Sequence, residues 1–247
     1  GLLDVVFSSS LSPPEIFYSS GSTLVGNIEG NLTFLNSTTD GMGTGIIADY
    51  DGDGDNDVIS ADWTGVYVFE QTNSGISTSA DKLFSTSYYI ENIEVMDIER
   101  DGDLDIIVST GYKTFVYERL DNGSYSSAEE IRDMASGYTI SYEVNLAVAQ
   151  NFGYIGWYNG IVIDSYASSN DNPIMTLEHR YGSSSYRTGW SSLPANSSTG
   201  TSVDVQLADL NGDGNDDLVR CMSSEIHVYN YTSWGVGRYY NTNFSTN

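Results

Sequence analysis

Apolar residues along this chain fall in short runs of strand length, and the runs recur in a fixed frame. Val58-Ile59, Ile106-Ile107-Val108 and Leu218-Val219 each follow a polar, glycine-bearing stretch. Eight residues after Val58, Ile106 and Leu218 begin Val66-Tyr67-Val68-Phe69, Thr114-Phe115-Val116-Tyr117 and Ile226-His227-Val228-Tyr229. These runs are β-branched and aromatic with a period of two, which predicts strands. Apolar lead-ins precede the polar stretches, as in Gly45-Ile46-Ile47-Ala48 and Val205-Gln206-Leu207-Ala208. A more polar segment such as Ser85-Thr86-Ser87-Tyr88-Tyr89 is expected to add an outer strand. The repeating unit is therefore strand, hairpin, strand, short turn, strand, outer strand. Helical periodicity is nearly absent, with one short helical turn expected at Ala128 to Met134.

The polar stretches share a second pattern. Asp49-Tyr-Asp51-Gly-Asp53-Gly-Asp55-Asn-Asp57, Asp97-Ile-Glu99-Arg-Asp101-Gly-Asp103-Leu-Asp105 and Asp209-Leu-Asn211-Gly-Asp213-Gly-Asn215-Asp-Asp217 place oxygen side chains at positions 1, 3, 5 and 9 and glycine at position 6. Calcium takes six to eight oxygens in a flexible shell, and a tightly turned loop lets alternate side chains and a backbone carbonyl converge on it. A single Asp-Gly-rich stretch would read as a plain turn, because both residues favour turns for conformational reasons. Three copies with one ligand frame and one apolar exit point to calcium, at three sites. Closure at position 9 and the strand that follows distinguish these loops from the EF-hand.

The loops begin at Asp49, Asp97 and Asp209. Between the last two, the lead-in Leu146-Ala147-Val148-Ala149 places Gln150 at position 1 of a fourth loop, with Phe152, Tyr154 and Tyr158 at positions 3, 5 and 9. That loop has the frame without a carboxylate, so it is expected to be metal-free. At the N-terminus, Leu3 to Phe7 reads as the end of a loop and its exit strand, and Glu15-Ile16-Phe17-Tyr18 as the next strand. A four-stranded unit of about fifty residues, repeated, predicts an all-β fold, a β-propeller of antiparallel blades. The expected organisation is one domain over 1–247, with a partial blade at 1–43 and whole blades at 44–91, 92–139, 140–200 and 201–247. The partial blade lacks its inner strand and would leave an open edge along Val5 to Phe7, to be filled by upstream sequence or by another copy.

Composition narrows the setting. Among 247 residues there are 34 acidic and 9 basic side chains, a formal net charge of -25. Nucleic acid is thereby an improbable partner, and so is an anionic membrane surface. No apolar run approaches the length of a membrane span, so direct insertion is not expected, and the chain reads as a mature or excised segment without a leader. Cys221 is the only cysteine, which rules out an internal disulfide framework and leaves calcium as the staple. Sequons at Asn31, Asn36, Asn122, Asn196, Asn230 and Asn243 are candidate glycosylation sites. Together with the weak affinity usual for extracellular calcium loops, they favour the cell exterior.

The loops and their exits resemble the FG-GAP repeat, the blade unit of the integrin α-subunit propeller and of related bacterial, archaeal and fungal surface proteins. By that resemblance Asp49, Asp51, Asp53 and Asp57 would supply side-chain ligands and Asp55 a backbone carbonyl. The second loop would use Asp97, Glu99, Asp101 and Asp105 with the carbonyl of Asp103. The third would use Asp209, Asn211, Asp213 and Asp217 with the carbonyl of Asn215. Arg100 stands where the other two loops have glycine at position 4, a departure from the pattern. The resemblance implies the fold and the calcium, not integrin's partners.

No catalytic constellation emerges. His179 and His227 lie in strand contexts, His227 alternating with Ile226 and Val228 so that a solvent-facing position is expected for it, and no Gly-X-Ser-X-Gly elbow occurs. Carboxylates in the loops are committed to metal. The expected function is a non-enzymatic, extracellular, calcium-stabilised interaction module for adhesion or assembly, binding a protein or glycan outside the cell. Alternatives are a structural subunit of a surface layer or filament joined by strand exchange between copies of itself, and a lectin-like carbohydrate-binding module. The 19 tyrosines and 4 tryptophans could build a sugar-stacking surface. Trp63, Trp157, Trp190 and Trp234 share no repeat position, however, and strand packing accounts for most aromatics.

Overall fold

A computed structural model describes residues 5–9, 12–17, 33–34, 44–63, 65–73, 75–77, 79–111, 113–133, 140–149, 158–167, 174–180, 186–190, 202–223, 225–232 and 235–243. Among them every regular element is a strand, and no helix is long and apolar enough to cross a membrane. In chain order the strands are β1 Val5–Ser9, β2 Ser12–Phe17, β3 Thr33–Phe34, β4 Thr44–Ala48, β5 Asp57–Ala61, β6 Gly65–Phe69, β7 Gln71–Thr72, β8 Gly75–Ile76, β9 Asp81–Ser85, β10 Asn92–Met96, β11 Asp105–Ser109 and β12 Lys113–Tyr117. They continue as β13 Glu129–Asp133, β14 Ile140–Ala149, β15 Tyr158–Ala167, β16 Ile174–Arg180, β17 Tyr186–Trp190, β18 Ser202–Ala208, β19 Asp217–Met222, β20 Glu225–Thr232 and β21 Gly235–Asn243.

Four sheets have four strands each: β4-β5-β6-β9, β10-β11-β12-β13, β14-β15-β16-β17 and β18-β19-β20-β21. A three-stranded sheet, β1-β2-β3, lies N-terminal to them, with Val5 opposite Phe17 and Phe7 opposite Glu15. Each sheet runs in chain order, the pattern of neighbouring strands joined by short turns. The predicted hairpin frame is realised in register, because Ala48 pairs with Asp57 and Ala208 with Asp217, the residues that bracket the first and third loops.

Three expectations change. Ala128 to Met134 holds strand β13 in place of a helical turn: Glu130 sits opposite Phe115, Arg132 opposite Thr114, and Lys113 Nζ reaches Glu130 Oε2 at 2.6 Å. A few helix-favouring residues cannot outweigh a full edge of ladder hydrogen bonds offered by β12. The outer strand of the β4–β9 sheet is Asp81–Ser85, not Ser85 to Tyr89, because the small hairpin β7-β8 turns the chain back earlier and sets Lys82 opposite Tyr67. In the β14–β15 hairpin, Ala149 pairs with Gly160, whereas the repeat frame would pair it with Tyr158. That connection is two residues longer than the acidic loops, and the rest of the loop expected to be metal-free, 150–157, lies outside the described residues.

The chain forms two compact units, residues 1–93 with 119–126, and residues 94–118 with 127–247. In the first, Val58, Tyr67 and Phe69 form a core cluster joined by Ile76 and Ala80. All residues of β5 and β6 are buried, while β4 and β9 are partly exposed, so the apolar runs coincide with strands covered on both faces. In the second unit the β14–β17 sheet packs both ways. Leu146, Ile161 and Ile163 join Met96, Ile98, Ile107 and Val116 on one side. Ala147, Ala149 and Val162 join Val205, Leu218 and Tyr229 on the other. Period-two alternation thus makes one sheet the filling between two, each buried aliphatic side chain contributing about 1.5–3 kcal/mol.

One side of this stack ends in a charged layer. The buried Arg220 guanidinium donates through Nε and Nη2 to both oxygens of Asp164, each at 2.7 Å. His227, directly opposite Arg220 in the ladder, is 1% exposed, its Nε2 2.9 Å from Glu225 Oε1. This corrects the solvent-facing position expected for His227: its alternation with Ile226 and Val228 is real, but the face of β20 that carries Glu225, His227 and Tyr229 is the buried one, packed towards the β14–β17 sheet, while Ile226 and Val228 are half-buried. Side-chain surroundings of His179 lie outside the described residues. Deleting one partner of the Asp164–Arg220 pair leaves a buried uncompensated charge. Arg220→Ala is expected to cost about 3–5 kcal/mol in a urea titration, and Asp164→Leu with Arg220→Met about nothing or a small gain.

Candidate metal centre

Each acidic loop is shaped by its own carboxylates, which accept hydrogen bonds from backbone amides in one repeated scheme. Position 1 caps the turn: Asp49 accepts from Gly52 N at 2.9 Å and Gly54 N at 3.0 Å, Asp97 from Asp101 N and Gly102 N, both at 3.0 Å, and Asp209 from Gly212 N at 2.7 Å and Gly214 N at 2.9 Å. Position 5 accepts from the amide of position 7, as Asp53 from Asp55, Asp101 from Asp103 and Asp213 from Asn215. Position 3 accepts from position 5 in the first and third loops, through Asp51 and Asn211. Position 9 accepts from the amide of position 2 in all three: Tyr50 to Asp57 at 3.1 Å, Ile98 to Asp105 at 2.8 Å, Leu210 to Asp217 at 3.3 Å. Each position-9 aspartate opens the second strand of its sheet and is buried.

The fourth position of these loops needs a left-handed backbone. Gly52 has φ 80° and Gly212 φ 76°, which glycine adopts without cost. Arg100 takes φ 61° at the same place, so the second loop keeps the shape its sequence disfavours and bears the strain of a side chain in that region.

In the first loop Asp49, Asp51 and Asp57 each bring a carboxylate oxygen to within 4.8 Å of the others. Among the described residues this is the one acidic group so gathered, and Asp53 and Asp55 are not in it. The donor set suits a hard divalent cation, being all carboxylate oxygen on a glycine-turned loop. In the second loop burial, then the hydrogen bond and charge of Asp105, then Glu118, push the Glu99 carboxyl up to about 9. A cluster that cannot ionise fully by itself is one that a cation would complete. In the third loop Asn215 is 5% exposed, and its Oδ1 is buried with no hydrogen-bond partner among the described residues, a second oxygen suited to a cation. The residues therefore fit calcium, which would neutralise the charge of the hairpin.

Other groups complete these loops without having been read from the frame. Arg119 lies with its guanidinium 4.4 Å from the centroid of the Tyr50 ring and donates to the Tyr50 carbonyl, so a cation braces position 2 of the first loop. Tyr125, at 6.4 Å between ring centroids, stacks on the same ring. Glu118, facing Glu99, stands twelve residues after Ile106; Glu70 and Asn230 stand twelve after Val58 and Leu218. An oxygen side chain at this frame position is thus a repeat signal visible in the sequence, and the fold carries Glu118 back to Glu99 and Glu70 back towards Tyr50, while Asn230 lies inside its strand. Of the sequons, Asn122 is exposed in a turn and its Oδ1 accepts from Ser124 N at 3.0 Å and Ser124 Oγ at 2.7 Å. Asn230 lies within β20 and Asn243 ends β21, while Asn31, Asn36 and Asn196 lie outside the described residues.

Residues 49–108, from the first loop to the strand leaving the second, match the FG-GAP-like repeat family. No curated protein sequence is significantly similar to the chain. Among solved structures, the chain is similar to an Agrocybe aegerita lectin described for specific recognition of non-reducing terminal N-acetylglucosamine, with TM-score 0.55 and 16% identity over 97% of this chain and 62% of the lectin's. At that identity the likeness is one of fold, and the chain spans less than two thirds of the lectin's length.

Three substitutions read the loop frame. Asp57 is buried and accepts two backbone amides, from Tyr50 and from Gln71 at 2.8 Å, so Asp57→Ala is expected to cost about 2–4 kcal/mol in a denaturant titration. Asp55→Ala, at an exposed position, is expected to stay within about 0.5 kcal/mol. Arg100→Gly relieves the left-handed strain and is expected to gain about 1 kcal/mol; a loss of stability would show that the Arg100 side chain is held by contacts worth more than the strain.

Proposed function

We propose that this chain is a calcium-stabilised β-propeller binding module that acts outside the cell and carries out no catalysis. The observation that carries the reading is the repeat itself: three loops in one hydrogen-bonding scheme, each opening the second strand of a four-stranded antiparallel sheet. Support for the propeller comes from the second unit, where the β14–β17 sheet is packed face to face between two others, as successive blades are. In the first loop Asp49, Asp51 and Asp57 would hold the ion, in the second Asp97, Glu99, Asp101 and Asp105, in the third Asp209, Asn211, Asp213 and Asp217. Backbone carbonyls of Asp55, Asp103 and Asn215 would add to them. Calcium there would neutralise the hairpin and pin two strands. A formal charge of -25 favours a calcium-rich exterior, where such loops fill and where Asn122 presents an accessible sequon.

A carbohydrate partner is the more specific reading within this one, and the observation favouring it is the fold shared with an N-acetylglucosamine-recognising lectin. The acidic surface makes an uncharged glycan a better partner than a sialylated one.

Chelation tests the metal. At calcium a hundredfold above Kd each filled site adds about 2.7 kcal/mol, which for a chain of this size is about 5–10 °C of Tm. EGTA is expected to lower Tm by at least that much, Mg²⁺ to restore little of it, and metal analysis to find three calcium ions per chain. Tm that does not respond to EGTA would overturn the calcium reading. A pH series adds a sign. Glu99, raised from 4.5 to about 9 in the metal-free protein, is protonated in the fold where the unfolded chain would ionise it. Its contribution therefore falls as pH rises from about 4.5 towards 9. The EGTA-treated protein is expected to lose Tm over that window, Glu99→Gln to flatten the loss, and calcium to remove it.

A further inference from the structure

We propose that Trp63 and Tyr89 form the stacking platform of a binding site for an uncharged pyranose ring. The proposal rests on the binding-module reading and gives it a location. Trp63 is 51% exposed, Tyr88 43% and Tyr89 42%, and the Trp63 and Tyr89 rings lie 5.4 Å apart, tilted by 51°. The exposed large apolar side chains described between 60 and 95 are these three, all aromatic and with no aliphatic among them. Aromatic faces exposed together carry a hydration cost that is recovered when a flat, CH-bearing surface covers them.

The platform is held in place from beneath. Trp63 sits in the turn between β5 and β6, closed by Asp62 N donating to Gly65 O at 3.0 Å. The Tyr67 hydroxyl donates to Asp62 Oδ2 at 2.9 Å, with Asp62 and Tyr67 both buried. A Cβ at Gly65 would come within 2.8 Å of the Phe84 carbonyl, so the turn lies flush on β9 and only glycine fits there. On the other side Tyr88 N donates to Thr86 Oγ1 at 3.1 Å, bending the segment that carries Tyr89. A stacking surface fixed before binding loses little conformational entropy on binding. Exposed Ser87 beside the tyrosines offers a hydroxyl for the sugar's own.

Charge selects among flat partners. Nucleobases also stack on aromatic rings, but they bring phosphates, and this chain carries -25. Acidic sugars meet the same field. An uncharged pyranose, with an apolar face and a polar rim, fits what remains.

Calorimetry on the whole 247-residue chain in calcium tests this, with N-acetylglucosamine, galactose and glucuronic acid as probes. At least one uncharged sugar is expected to bind with Kd in the millimolar range, and glucuronic acid at least tenfold more weakly. Trp63→Ala and Tyr89→Ala are each expected to weaken binding about tenfold, Trp63→Phe by less than about threefold, with Tm and EGTA response unchanged. If Trp63→Ala fails to fold, Tyr89→Ala and Trp63→Phe carry the comparison. Sugar binding untouched by these variants overturns the platform and leaves a carbohydrate-binding module with its site elsewhere. No sugar binding by the wild type, with EGTA still lowering Tm, overturns the platform and the carbohydrate reading but not the calcium-stabilised fold. Concentration-dependent self-association abolished by Trp63→Ala, without sugar binding, would overturn the proposal in favour of a protein contact.

Discussion

The structure depends on what happens to one carboxylate in each repeat, the aspartate at position 9. Asp57, Asp105 and Asp217 are buried at the point where an acidic hairpin becomes a core strand. A carboxylate there is costly unless it is hydrogen-bonded. Each accepts the amide of position 2, seven residues earlier in the frame, and so closes the loop from end to end. Closing the loop also crowds its other carboxylates together. The same contact that orders the hairpin therefore creates the charge concentration that a cation would relieve.

The rest of the architecture follows from how little these loops leave to chance. Because Asp57 is fixed opposite Ala48, and Asp217 opposite Ala208, every residue of the adjoining strands has its face assigned. Leu146, Ile161 and Ile163 go to one neighbouring sheet and Ala147, Ala149 and Val162 to the other. Where the β14–β15 hairpin departs from the length of the acidic loops, Gly160 takes the place opposite Ala149 that Tyr158 would hold, and the even shift of two residues preserves the faces. An odd shift would have turned the core residues of that strand to the wrong side.

Polar groups inside the stack have a different logic from those in the loops. Asp164 and Arg220 satisfy each other in a two-pronged pair, with His227 and Glu225 alongside. Such a pair adds little net stability over apolar residues of the same size, yet it matches only one alignment of the sheets that carry it. Arg119 does a related task in the first unit, where its charge and stem cover Tyr50 at the base of an acidic loop. Basic residues number 9 in the chain, and these two are placed against carboxylate or carbonyl oxygen rather than spread over the surface.

The sequence by itself determined the loops and the inner strands: carboxylates at alternate positions, glycines where the backbone turns left-handed, and apolar exits all act within nine to twelve residues, so local chemistry settles them. It also carried, unread, the oxygen side chains Glu70, Glu118 and Asn230 at one repeat position. Tertiary structure alone decided what depends on a partner distant in the chain. Glu129 to Asp133 became a strand because β12 had an edge to fill, and Asp81–Ser85 became the outer strand because β7-β8 turned the chain early. His227 went inside because its face of β20, shared with Tyr229, is the one that packs towards the β14–β17 sheet, and Trp63 came to rest beside Tyr89 because Gly65 lets its turn lie on β9. Periodicity states that a residue faces one side of a strand; only the neighbouring sheet decides whether that side is water or core.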